Sequence, residues 1–196
     1  MSAARCCLIA VAALAACAAP QGDLRVSIPP HIAAAQPSAL ANAPPRNVAI
    51  PPFGDAATQS GRIGDRSTSA SGPSGAVIID PPPGPLLHEA FAAELRRAGL
   101  TIQSSAGATI EGNVLGFTLR INSTTMDWQV IVEANVTITA RTDERTVNHA
   151  YSTRCEDRSY TAPGASVIAG VIGHCVDDLA RQFRSDTDIA QVLGAP

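Results

Sequence analysis

Lysine is absent from this chain. All 14 basic side chains are arginine, scattered over 196 residues and matched by 17 carboxylates, for a formal charge of −3. With no basic stripe to neutralise phosphates, nucleic acid is excluded as a partner. Aromatic residues are few, at 4%; the composition is apolar enough to bury a core, but alanine supplies much of it. Long hydrophobic runs are missing too. The one apolar stretch, ahead of Cys17, is shorter than the roughly 20 residues a membrane-spanning helix needs.

Chemistry-bearing patterns are missing in the same way. No CxxC or HxxxH spacing offers zinc ligands. Gly61-Arg62-Ile63-Gly64 lacks the Lys-Ser/Thr pair of a phosphate cradle, and no amphipathic helix starts there. The segment from Gly164 to Gly170 is not a GxSxG elbow, and Asp186-Thr187-Asp188 lacks the remaining ligands and glycine of a calcium loop. Glu156-Asp157 and Asp177-Asp178 are adjacent pairs whose carboxylates diverge, so they read as solvated charges. His149 and Cys155 share a strand face but lie about 20 Å apart along it, against the roughly 3 Å a base needs. His174 points about 100° away from Cys175 around a helix. The chain is therefore expected to be non-enzymatic, with no cofactor and no metal.

What is present is an address. Arg5 and a short apolar run lead to small residues, the layout of a secretory signal. Leu14-Ala15-Ala16-Cys17 resembles the lipobox of bacterial lipoproteins, which implies that residues 1–16 are removed and that Cys17 becomes the acylated first residue. The alternative is a plain signal cleaved nearby, with Cys17 incidental. Removal of Arg5 takes the formal charge from −3 to −4. Acyl chains contribute about 0.8 kcal/mol per buried CH₂, and two or more give stable anchoring. Cys6 and Cys7 leave with the signal, so Cys155 and Cys175 remain as an even pair in an oxidising compartment. They are expected to form a disulfide; the alternative is two buried thiols.

Residues 17–45 read as the lipidated cysteine and a Pro/Ala-rich tether, within which Leu24-Arg25-Val26-Ser27-Ile28 alternates and offers a short edge strand. A single domain is expected over 46–196. Its first strand is read at 47–53, and a Gly/Ser/Thr-rich flexible loop at 54–75. A short strand follows at 76–80, then a helix to Ala98, stopped by Gly99 with Leu100 set against Leu95. Three strands in a meander come next. In the first, the apolar phase jumps after Val114, which predicts a bulge near Leu115-Gly116 that keeps both apolar sets on the core side. The second, from Trp128 to Ala140, alternates throughout. A helix from Gly164 to about Phe183 carries Ile168, Ile172, Cys175, Val176, Leu179 and Phe183 on one side, leaving Asp177, Asp178, Arg181 and Arg184 to water, as Glu94 is on the first helix. Ser185-Asp186-Thr187-Asp188 caps a last short turn. The expected fold class is α+β: a mixed, mainly antiparallel sheet with two helices on one face, in the order strand, helix, three-strand meander, helix. Trp128, together with Phe117, either lines a ligand or partner surface or closes the end of the core.

Together the lipobox, Arg25-Val26-Ser27-Ile28-Pro29, Asp55…Arg62-Ile63-Gly64…Arg66, Leu86-Leu87…Glu94-Leu95…Gly99, the meander and Asp186-Thr187-Asp188-Ile189…Leu193 resemble the YajG family of uncharacterised bacterial lipoproteins. The resemblance implies a lipid-anchored outer-membrane protein facing the periplasm, without an established activity and with no catalytic residue to transfer. Ala18 rather than Asp after Cys17 fits outer-membrane sorting. The family lacks cysteines at positions 155 and 175, so the disulfide is a local feature. Two roles are consistent with this: a non-catalytic interaction or assembly module for an envelope protein partner, or an auxiliary lipoprotein of an ABC-type or lipid transport system.

Overall fold

Period-two apolar runs in the C-terminal half become three long paired strands, and the other elements assemble on them. The computed structural model describes residues 22–33, 35–55, 58, 60–67 and 74–195. Its elements are β1 (Leu24–Ser27), β2 (Asn47–Ala49), β3 (Arg62–Ser67), β4 (Ser74–Asp80), α1 (Pro83–Arg97), β5 (Thr101–Gln103), β6 (Ala108–Ser123), β7 (Trp128–Arg141), β8 (Thr146–Ser159), α2 (Ala165–Arg184) and α3 (Thr187–Val192). Antiparallel pairing runs unbroken along β7 and β8, from Trp128 opposite Ser159 to Arg141 opposite Thr146. Between β6 and β7 the register slips once. Val114 faces Val136 and Gly116 faces Asn135, so Leu115 is the extra residue and stands 57% exposed. The bulge keeps Ile110 and Val114 before it, and Phe117 and Leu119 after it, in the core.

The other edge of β6 is shared. β2 lies parallel to its start, with Val48 opposite Ala108, and carries β5 beyond it. β3 lies parallel to its end, with Gly64 opposite Leu119, followed by antiparallel β4 and parallel β1. Among the described residues this makes one eight-stranded, mostly antiparallel open sheet. Both long helices lie together on one face, where the rings of Phe91 and Phe183 stack with centroids 4.6 Å apart. Beneath them Val130, Val132, Ala134, Val136, Ile138 and Ala140 are fully buried. The α+β class and the helix placement therefore stand as expected. α1 ends in a Schellman turn: Leu100 N–H donates to Leu95 O and Gly99 N–H to Arg96 O, with Gly99 at φ +88°.

Two stretches differ from the sequence reading. The edge strand expected at Leu24–Ile28 forms as β1 at the end of the sheet, but the tether expected over 17–45 ends there, because the chain from Leu24 onward belongs to the fold. β1 pairs with β4, and Val26, Ile28, Leu40 and Ala43 are core residues. Prolines exclude helix there, but they do not prevent single apolar side chains from filling gaps beside the helices. The flexible loop expected at 54–75 contains β3, with Ile63 buried. A Cβ on Gly64 would overlap the Leu119 carbonyl, so this glycine permits close strand approach rather than cradling a phosphate. Cys17, the expected lipidation site, lies outside the described residues. Among those described, no helix is long and apolar enough to cross a membrane.

Cys155 on β8 and Cys175 on α2 are joined as a disulfide, with Cα atoms 5.7 Å apart. Closing a loop of 20 residues restricts the unfolded chain and should stabilise the fold by about 3 kcal/mol. It ties the longest helix to the outer strand of the meander.

Candidate functional site

Polar groups converge most tightly where β8 passes under the α2–α3 corner. Alternation along β8 puts His149 and Tyr151 on the same face, opposite Ile138 and Val136. Asp186 reaches them as the N-cap of α3. One carboxylate oxygen accepts from the backbone N–H groups of Asp188 and Ile189, both at 3.0 Å. The other accepts from the Tyr151 hydroxyl at 2.6 Å and from His149 Nδ1 at 2.5 Å. Burial alone would push the Asp186 carboxyl up, but the Tyr151 hydroxyl, the Ile189 N–H and His149 outweigh it, and the group titrates below its ordinary range. Tyr151 moves the opposite way: burial and the neighbouring Asp186 carboxylate both raise its hydroxyl well above the usual tyrosine range.

A tyrosine, an aspartate and a histidine in contact invite a proton-transfer or metal reading. His149, Asp186 and Asp188 bring ligand-type atoms within 4.8 Å of one another. Their hydrogen bonds argue for a structural role. The second histidine nitrogen, Nε2, faces Asp188 Oδ2 at 3.3 Å, so the imidazole is held between two carboxylates with neither nitrogen turned to a substrate. Both Asp186 oxygens are already engaged by the cap, the tyrosine and the histidine. The group fastens α3 to β8.

A second polar junction lies inside the helix layer. Glu94 on α1 and Arg184 on α2, both assigned to water from their periodicity, are only 2% and 5% exposed. Glu94 Oε1 accepts from His31 Nε2 at 2.9 Å and from Arg184 Nη1 at 3.4 Å. His31 Nδ1 meets Asp177 Oδ1 at 2.7 Å, and Arg184 Nη2 donates to Gln36 at 2.7 Å. The segment after β1 crosses both helices and seals them. Only the lone histidine between prolines hinted at this in the sequence.

The remaining sequence candidates separate. Phe117 is fully buried and pairs opposite Ala134. Trp128 is half-buried at the hairpin tip, six residues and about 20 Å further along β7. The two therefore do not form one surface: Phe117 belongs to the core, while Trp128 stands half-buried at the end of the sheet. Cys155 is committed to its disulfide rather than to His149. At the opposite end of the sheet an open cleft of about 620 Å³ is bordered by Arg46, Arg145 and Gln191. Its arginines are occupied, Arg46 with Val192 O at 3.4 Å and Arg145 with Gln191 at 3.1 Å.

Known proteins share this architecture. Protein XCC0632 from Xanthomonas campestris superposes with a TM-score of 0.58 at 10% identity, covering 86% of this chain and 96% of its own. At that identity the match speaks for the fold alone. Rare lipoprotein B from Shewanella oneidensis (TM-score 0.39, 6% identity, 70% and 89% covered) is a more distant likeness. So is lipoprotein GNA1162 from Neisseria meningitidis (0.33, 11%, 70% and 99%). No curated protein sequence matches the chain. The model of the uncharacterized lipoprotein family Lipoprotein_16 matches residues 72–194, which span the sheet from β4 through α3, and the chain belongs to that family.

Proposed function

We propose that this protein is a lipid-anchored, non-catalytic module of the bacterial outer membrane. It faces the periplasm and offers its folded surface to an envelope protein partner, in the manner its YajG-like sequence features imply. The observation that carries the reading is the lipobox Leu14-Ala15-Ala16-Cys17 on a chain whose folded part belongs to a lipoprotein family. The absence of catalysis in this reading rests on how the reactive groups are used. Among the described residues Cys155 and Cys175 are bonded to each other, and the Asp–His–Tyr contact serves as a helix cap.

Replacing the acylated residue tests the reading. In a host with lipoprotein processing, the wild-type protein should incorporate labelled palmitate and sediment with outer-membrane density. Cys17→Ser should do neither. A Cys17→Ser protein that still takes up label, or an unlabelled wild-type protein in the soluble fraction, would overturn the anchor.

A further inference from the structure

We propose that the sheet end bearing Met126, Trp128 and Tyr160 rests on the bilayer that holds Cys17; this orientation builds on the lipid-anchor reading above. Four large apolar side chains stand exposed among the described residues: Ile32 at 87%, the bulged Leu115 at 57%, Met126 at 85% and Tyr160 at 91%, and the last two lie together. They occupy one end of the meander: Met126 sits in the β6–β7 turn, and Tyr160 directly follows Ser159, which pairs with Trp128. Trp128, opposite Ser159 in the sheet, is half-buried at the same end. Tryptophan and tyrosine favour the headgroup level of a membrane, where an amphipathic ring has both apolar and wet surroundings. The ionic groups beside them, Asp127 and Arg158, face each other at 3.9 Å.

The anchor leads to this same end. Register carries the level across the sheet: Leu24 opposite Val77, Val77 opposite Gly64, Gly64 opposite Leu119. β1 runs antiparallel to β6, so the step back from Leu24 to Gly22 heads toward Ser123 and the hairpin tip. Gly22 is held there, its carbonyl accepting from Arg66 Nη2 at 3.3 Å, while Asp23 accepts from the Ala76 N–H at 3.0 Å. Cys17 precedes Gly22 by five positions, a reach of at most about 17 Å. Three strand spacings separate β1 from β6, about 14 Å. Four and five separate it from Trp128 on β7 and from the end of β8, about 19 and about 24 Å, all at the one level the bilayer would meet. A lipid on so short a lead cannot leave this rim far from the membrane, and the high local concentration of bilayer lets even a weak interfacial preference hold.

Trp128 is the only tryptophan, so its emission tests the orientation without substitution. The full-length lipidated protein is bound to vesicles of phosphatidylethanolamine and phosphatidylglycerol, with and without phospholipid spin-labelled near the headgroup. The expected result is co-sedimentation with the vesicles, about twofold quenching by the spin label, and protection from acrylamide relative to soluble Cys17→Ser protein. The double variant Met126→Ser/Tyr160→Ser should co-sediment but lose much of the quenching. Protein that co-sediments while Trp128 stays unquenched by lipid and open to acrylamide overturns the orientation alone. Quenching indifferent to both serines overturns it as well. Failure to co-sediment overturns the anchor, and the orientation with it.

Discussion

Asp186 meets four hydrogen-bond donors with a single carboxylate, so its charge matters more than its shape. Asp186→Asn keeps a competent N-cap but cannot accept from both Tyr151 and His149 as a charged group does. It should cost about 1.5–3 kcal/mol at neutral pH, the value of hydrogen bonds to an ionised partner. Because the folded carboxyl titrates below its ordinary value of 3.8, this stabilisation is complete above that value and is lost as pH falls through the depressed folded one. Urea unfolding of the two proteins from pH 7 to pH 2 should show a constant gap down to about pH 4 and wild type converging on the variant below it. Parallel curves would mean that the charge is not what stabilises. At this scale the sequence was only partly legible. The cap could be read because its donors are two and three residues away. The burial of Glu94 and Arg184 could not, because the residues that cover them lie 63 and 148 positions distant, and helical periodicity knows nothing of a strap laid across it.

Strands were legible in proportion to their length. β7 announces itself by seven alternating apolar side chains, and the bulge in β6 follows from a jump in phase, since one register cannot bury both apolar sets. β3 gave no such signal. Its six residues include Arg62, Gly64, Asp65 and Arg66, and it is a strand because β6 and β4 offer it partners. The bulge makes an opposed pair of predictions. Leu115, as the extra residue, should tolerate serine with a change within about 0.5 kcal/mol. Phe117, two positions on, should cost about 3–5 kcal/mol when cut to alanine. Midpoints in urea at unchanged slope would read both. A large loss at Leu115→Ser would place that side chain in the core and remove the bulge.

At the scale of the whole molecule, three features act together: an acyl graft expected at Cys17, a lead of five positions to Gly22, and a rim with its aromatic end on the same side of the sheet. The short lead turns a point of attachment into an orientation. Inserting about 20 flexible Gly/Ser residues between Pro20 and Gly22 should separate the two. The lengthened lead of about 25 residues has a root-mean-square span near 28 Å, and the effective concentration of bilayer at the rim falls with roughly the −3/2 power of lead length, about tenfold here. The extended protein should remain in the vesicle pellet, since the lipid is untouched, while lipid quenching of Trp128 drops and acrylamide gains access. Equal quenching in both proteins would instead show that Met126, Trp128 and Tyr160 hold the surface unaided, with the lead contributing nothing to how the fold stands on its membrane.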